Sequence, residues 1–389
     1  MRKIAFYTLG CRANQAQTEV IKSEVAGRKS RVVDFHSEAD TYVINTCTVT
    51  ADADRKSRQA IRRAMRQNPK AKVIATGCYA KLQAEELAKD FPKIEILLPS
   101  SLPPYPSPLS PRIRANLMIQ DGCEHFCSYC IVPYARGRIK SKPLEQIIAE
   151  ANQLVKAGAR EIVLTGINLG TYQFDLPAAI HGLSSIKNLF RIRLSSLEPM
   201  YLSKELIDAV AETPQVCRHL HIPLQSGDNN ILKAMNRNYS RDDYLDLIDY
   251  IRSKMPDCGI TTDIIVGFPG EGEPEFQNTV DLIHHIKFSR MHIFIYSLRK
   301  GTPAADLPDQ VDPKTKKERS KYLHKIRNKY MLEFAHKYLN NEVEILVEQK
   351  GEGLTSNFIR CFFNDPTDSS GSLKKIFARS VNNSGEIRG

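Results

Sequence analysis

"ANLMIQDGCEHFCSYC" (residues 115–130) runs an apolar stretch straight into three cysteines. The stretch has the length and character of a buried strand, and Asp121-Gly122 ends it. Cys123, Cys127 and Cys130 follow with the spacing C-x3-C-x2-C. With nine cysteines in 389 residues, chance supplies that spacing on the order of 0.005 times per chain. The cluster therefore needs a chemical reason. A zinc ion would want a fourth ligand, and the nearest candidate, His125, lies inside the tight loop itself. An iron–sulfur cage fits better, because cysteine is its usual ligand. Three cysteines on a four-iron cluster leave one iron open, as a catalytic metal site does.

Moving outward, the same design recurs. Candidate strands at 161–168 ("EIVLTGIN"), 191–199 ("RIRLSSLEP"), 218–226 ("RHLHIPLQS"), 259–269 ("GITTDIIVGFP") and 290–299 ("RMHIFIYSLR") follow the first, with helical patterns such as "PLEQIIAEANQLVKAG" between several of them. Six β/α units imply a barrel-like parallel sheet that works at its C-terminal edge. Polar and glycine-bearing ends gather at that edge: "DGC", "TGIN", "SSLEP", "QSGD", "GFPGE", "SLRKGT".

Upstream, "KIAFYTLGC", "TYVINTC" and "AKVIATGC" alternate with helical patterns, which again implies a parallel sheet. Each run ends on a cysteine: Cys11, Cys47 and Cys78. Ligand crevices of open α/β sheets lie outside the carboxyl ends of the strands. Three thiols arriving there from distant positions point to a second metal site, although any one alone reads as a buried, inert cysteine.

Six prolines in thirteen residues, "PSSLPPYPSPLSP" (99–111), make a stiff linker between these blocks. The expected organisation is an N-terminal α/β domain (1–98), the linker (99–111), the barrel (112–337) and a small β-domain (338–389). The formal net charge of +11 suits a polyanionic partner. A solvated basic surface is the plain alternative. No run approaches the roughly 20 apolar residues of a membrane span. "MRKIAFYTLG" lacks a signal peptide's cleavage region. A cytoplasmic protein is expected, where nine cysteines favour metal or redox chemistry over disulfides.

C-x3-C-x2-C after the first strand of a six-unit barrel resembles the radical S-adenosylmethionine (SAM) enzymes. With an N-terminal domain carrying three dispersed cysteines and a C-terminal β-domain, the chain resembles the methylthiotransferases over nearly its whole length. "TLGCRANQ", "NTCTVTADAD", "GCYAK", "RLSSLEP" and "RHLHIPLQSGD" are similar to the branch acting on threonylcarbamoyladenosine in tRNA. Arg12 and the "SSLEP" strand end discriminate it from branches acting on isopentenyladenosine or on a ribosomal-protein aspartate. The linker is the departure, being shorter and richer in proline than the family's segment there, and it bears on how the N-terminal domain docks.

The resemblance implies two [4Fe-4S] clusters, one on Cys123, Cys127 and Cys130 with SAM on the open iron, the other on Cys11, Cys47 and Cys78. It implies methylthio addition to C2 of the adenine next to the anticodon. It also implies SAM contacts from Tyr129, Thr165, Gly166, Asn168, Gln225, Ser226, Arg237, Gly267, Phe268 and Glu271. The tail would be a TRAM-like barrel gripping the tRNA anticodon stem-loop. Arg55, Lys56, Arg58, Arg62, Arg63 and Arg66 crowd one helix and are candidate phosphate contacts. His219 and His221 share a strand face and read as barrel-interior packing. An electron donor is implied, and a monomer is expected. Two rivals stand beside this reading: another radical SAM enzyme with structural N-terminal cysteines, and a zinc-bearing RNA-binding module.

Overall fold

The computed structural model describes residues 1–26, 30–98, 112–364 and 370–389. The linker expected at 99–111 lies outside them. Five strands, β1 (Arg2–Thr8), β2 (Ser30–Val33), β3 (Thr41–Thr46), β4 (Lys72–Thr76) and β5 (Ile94–Ile96), pair in parallel in the order β2-β1-β3-β4-β5. The order reverses between β1 and β3. That is the switch point at which a doubly wound sheet opens its crevice. Cys11 follows β1, Cys47 follows β3, and Cys78 follows β4 next door.

The helices α1 (Arg12–Ala26) and α2 (Ala51–Gln67) start from those same cysteine loops. The Thr50 side chain accepts from the Ala53 N–H, and Asp52 and Asp54 meet the positive helix end. Ser57, Ala60, Ile61 and Ala64 recur at helical spacing and bury one face. The opposite face carries the arginines.

The second unit has six parallel strands: β6 (Arg114–Met118), then Glu161–Thr165, Arg191–Leu194, His219–His221, Gly259–Val266 and Arg290–Ile295. They form two three-stranded ladders joined by a bridge between Ser196 and His221. Among the described residues no ladder joins the last strand back to β6, so the barrel is open on that side. The strand expected over 218–226 stops at His221. Pro223 has no N–H to donate, and Gln225 turns the backbone to φ +64°.

The helix Pro313–His336 leads to a six-stranded, mostly antiparallel C-terminal sheet packed on Val343, Ile345, Ile359 and Ile376. Its loop at 355–359 closes the N-terminal end of the barrel. Phe358 holds φ +75°, a conformation costly for a bulky residue. Its ring stacks on His219 at 4.4 Å, with the Arg193 guanidinium on it at 5.1 Å. Arg193 is fully buried. It pairs with Glu161 at 2.6 Å and donates to the carbonyls of Thr355 and Ser356. One guanidinium therefore ties the barrel floor to the C-terminal sheet.

Candidate functional site

Two glycines let the auxiliary cysteines converge. Gly10 holds φ +93°, and a Cβ there would sit 2.8 Å from the Cys47 Sγ. Gly77 holds φ +90°, and its Cβ would strike the Asn45 Oδ1 at 2.3 Å and the Thr46 carbonyl at 2.4 Å. Burial pushes the Cys47 thiol up to about 11. The Val49 backbone bond opposes that shift, while Cys11 and Cys78 add to it, so the three thiols share one neighbourhood. Burial also raises Cys78, and Arg136 opposes the rise.

The second trio sits on the loop after β6. Burial raises Cys123, Cys127 and Cys130 alike. The Arg237 Nη1 donates to the Cys127 Sγ at 3.3 Å, and Arg237 also pairs with Glu198. Asn168 lies beside Cys123, and its buried Oδ1 has no hydrogen-bond partner.

The donor set fits iron–sulfur clusters. Zn–S bonds of about 2.3 Å hold tetrahedral sulfurs roughly 3.8 Å apart. Among the described residues, the trio whose ligand atoms all lie within 4.8 Å of one another is His221, Asp263 and His292, not either set of cysteines. Neither set of cysteines is gathered as tightly as one bound ion would hold it. Each trio also receives a guanidinium N–H on sulfur, which favours thiolate. His125, expected as a zinc ligand on the rival reading, keeps a buried Nε2 without a partner.

The N-terminal domain docks at the C-terminal edge of the open barrel, against both its first and its last strand. Ala13 and Ala16 of α1 pack on Met118 and Ile167. The Arg299 guanidinium, beyond the last barrel strand, pairs with Asp54 at 2.7 Å and donates to the Thr48 Oγ1. Arg136 sits between the two trios. It donates to the Cys78 Sγ at 3.1 Å and bonds Asn14 and Asp121. A crevice lined by Gln17, Cys78, Lys81, Asp121 and Arg136 runs along this seam.

Residues 3–99 match Uncharacterized protein family UPF0004, and residues 117–283 match the Radical SAM superfamily. The chain is 37% identical to the threonylcarbamoyladenosine tRNA methylthiotransferase MtaB of Bacillus subtilis, over 97% of this chain and 93% of the relative. It is 38% identical to the MtaB of Aquifex aeolicus, over 92% and 95%. It is 35% identical to the tRNA-2-methylthio-N(6)-dimethylallyladenosine synthase of Pelotomaculum thermopropionicum, over 92% and 89%. The chain belongs to the tRNA methylthiotransferase family.

Among solved structures, the radical SAM methyltransferase TsrM of Kitasatospora setae shares the fold, with a TM-score of 0.59 at 15% identity over 78% of this chain and 75% of that one. As a methylthiotransferase the chain works with SAM and [4Fe-4S] clusters, and tRNA is its substrate. Among the described residues no helix is long and apolar enough to cross a membrane.

The other expected site residues fall in three settings. Thr165, Gly166 and Asn168 line the second strand's end. A Cβ on Gly166 would meet the Gln120 Oε1 at 2.7 Å, and the Asn168 N–H donates to that same oxygen. Gln225 and Ser226 are buried, with Ser226 beside Thr279. Phe268 is buried against Tyr129 and Tyr296, while Glu271 accepts from the Gly267 N–H and pairs with Arg319. Glu271 thus shapes the turn from inside.

On α2, Arg55, Lys56, Arg62, Arg63 and Arg66 are exposed, with Arg55 and Lys56 paired to Asp52. Arg58 is half-buried, bonded to the Tyr79 hydroxyl. His219 is buried; His221 bonds Thr261 and pairs with Asp263 at 3.3 Å. Sequence reading missed Arg136, Glu198 and Arg299. Each acts on a partner 39 or more residues away, and no periodicity marks them.

Proposed function

We propose that this chain adds a methylthio group to C2 of N6-threonylcarbamoyladenosine beside the anticodon of tRNA. The relatives named for threonylcarbamoyladenosine stand at 37% and 38% identity over more than nine-tenths of this chain, and "TLGCRANQ" resembles that branch. The observation that carries the reading is the Arg136 bridge, which joins Cys78 to Asp121 at the foot of the Cys123 loop.

In this reading Cys11, Cys47 and Cys78 hold the auxiliary cluster, and Cys123, Cys127 and Cys130 the SAM-binding one. When bound, these groups supply the sulfur, the methyl group and the radical that takes hydrogen from C2, a step beyond ordinary acid–base side chains.

The protein's own part is placement. Arg136 and Arg237 keep positive charge beside each thiolate trio. Thr165, Gly166 and Asn168 face the methionine end of SAM, where the unpartnered Asn168 Oδ1 supports an incoming donor. Gln225 and Ser226 serve its ribose and carboxylate, and Gly267, Phe268 and Tyr129 frame its adenine. The exposed α2 cations meet backbone phosphate of the anticodon stem-loop, whose unpaired base is splayed to present its edge. The C-terminal sheet, taken as TRAM-like, grips the stem. A reducing electron donor, a monomeric enzyme and a cytoplasmic setting complete the reading.

Mass spectrometry of tRNA nucleosides from cells lacking this gene tests it. Loss of the methylthio form with threonylcarbamoyladenosine retained is the expected result. Loss of methylthio-isopentenyladenosine instead overturns the substrate.

A further inference from the structure

Three neighbouring barrel strands, His219–His221, Gly259–Val266 and Arg290–Ile295, each place one metal-ligating side chain on the same face. The parallel register sets His221 opposite Thr261 and Asp263 opposite His292. Side chains alternate along a strand. Leu220, Ile260, Ile264 and Met291 pack into the main hydrophobic core, so His221, Thr261, Asp263 and His292 point the other way, into the barrel. The Asp263 Oδ1 lies 3.3 Å from the His221 Nε2 and 3.1 Å from the His292 Nδ1. All three ligand atoms fall within 4.8 Å of one another. Ligands about 2.0–2.2 Å from one ion, at tetrahedral or octahedral angles, stand roughly 2.8–3.6 Å apart. Both separations lie inside that window, and both imidazoles converge on the same carboxylate oxygen. The 3.3 Å pair is longer than the ordinary N–H···O bond of about 2.7–3.2 Å.

The His221 ring is held from behind. Its Nδ1 bonds the Thr261 Oγ1 at 2.9 Å, which leaves the Nε2 for a ligand. Metal-ligating histidines almost always carry such a bond on their other nitrogen. A bound ion also needs an entry path. The His221, Asp263 and His292 side chains are 16, 25 and 56% exposed, rising toward the last strand, whose outer edge no ladder covers among the described residues. The trio shares no residue with either cluster or with the expected SAM contacts.

We propose that His221, Asp263 and His292 form a third metal site, which binds one divalent transition-metal ion inside the barrel. Two imidazoles and one carboxylate suit zinc or ferrous iron. Three protein ligands leave a position open toward the barrel interior, for water or an oxygen of a bound molecule, as catalytic metal sites do. The assignment is independent of the substrate reading.

The test uses tag-free, full-length enzyme with its clusters reconstituted, dialysed anaerobically against zinc in competition with a weak chelator. Zinc and iron are counted together by mass spectrometry. Wild type is expected to take up about one zinc per chain with its iron unchanged. Asp263→Asn and His292→Ala are expected to weaken zinc binding by on the order of 100-fold or more, and Thr261→Val, which removes only the bond behind His221, by about 10- to 100-fold. His292 is exposed, so its variant is expected to keep the fold and the full iron content. X-ray absorption at the zinc edge should show nitrogen and oxygen ligands at about 2.0–2.2 Å, without the sulfur shell near 2.3 Å that cysteine would give. No zinc uptake by wild type, equal uptake by the variants, or a sulfur shell at the edge each overturns the inference and leaves the trio as a hydrogen-bonded chain.

Discussion

The Arg136 Nε donates to the Cys78 Sγ across 3.1 Å, linking a barrel residue to a cysteine of the N-terminal domain. The same guanidinium bonds Asn14, in the first turn of α1 three residues after Cys11, and Asp121, two residues before Cys123. One buried side chain thereby joins the Cys78 turn to the strand end that precedes Cys123.

Arg136→Met is expected to separate cleavage from transfer. It removes a buried partner of Asp121, a loss worth about 3–5 kcal/mol in such pairs. It also frees the seam between domains. The amount of 5′-deoxyadenosine formed per methylthiolated base, measured in one assay, should rise severalfold. An unchanged ratio would mean that Arg136 does not position the trios.

Glu161→Gln tests the barrel floor. Burial alone would raise the Glu161 carboxyl; the charge of Arg193 and its hydrogen bond outweigh that and hold it below the ordinary range. A folded value below the unfolded one, about 4.3, means the stabilisation is fully present above that pH and fades as pH falls through the folded value. The variant should lose about 3–5 kcal/mol near neutrality. It should also lack this part of the acid-side decline in unfolding experiments. Limited proteolysis should release the C-terminal sheet more readily, because Arg193 also holds Thr355 and Ser356.

Much of this was legible in the chain itself, and the reason is local. The Cys123-Cys127-Cys130 spacing, the three strand-end cysteines and the β/α alternation are all short-range patterns. A parallel sheet with its crevice at the strand ends followed from them, while the strand order with its switch point between β1 and β3 came from the structure. What stayed hidden was long-range pairing. Nothing near Arg193 announces a partner at Ser356, 163 residues on. Arg58 reads as one more cation on a basic helix, yet Tyr79 occupies it. Glu271 reads as a pocket residue, whereas the Gly267 N–H and Arg319 draw it inward. Composition and periodicity carry no record of which distant group satisfies a buried charge.

Gly77→Ala probes the auxiliary loop without touching a cysteine. The added Cβ meets the Asn45 Oδ1 at 2.3 Å and the Thr46 carbonyl at 2.4 Å, in a backbone conformation that disfavours any side chain. Iron after anaerobic reconstitution is expected to fall by about half relative to wild type, as for loss of one of two such clusters. Gly137, also at positive φ but with open space around its Cβ position, is the control site, and Gly137→Ala should keep its iron.

The exposed face of α2 makes a quantitative claim about RNA. Replacing Arg62, Arg63 and Arg66 together with Gln should weaken anticodon stem-loop binding. The slope of log affinity against log salt should drop by about 2, from roughly 0.7 per lost phosphate contact on single strands. A variant with wild-type slope would assign these arginines to solvent.

Iron stoichiometry with Mössbauer spectra on three proteins tests the central claim most directly: wild type, the Cys11/Cys47/Cys78→Ala triple variant and the Cys123/Cys127/Cys130→Ala triple variant. Two four-iron clusters give about eight irons in the first and about four in each of the others, with cluster spectra in all three. Equal iron in wild type and the Cys11/Cys47/Cys78 variant would contradict the account, because the N-terminal thiols would then hold no cluster.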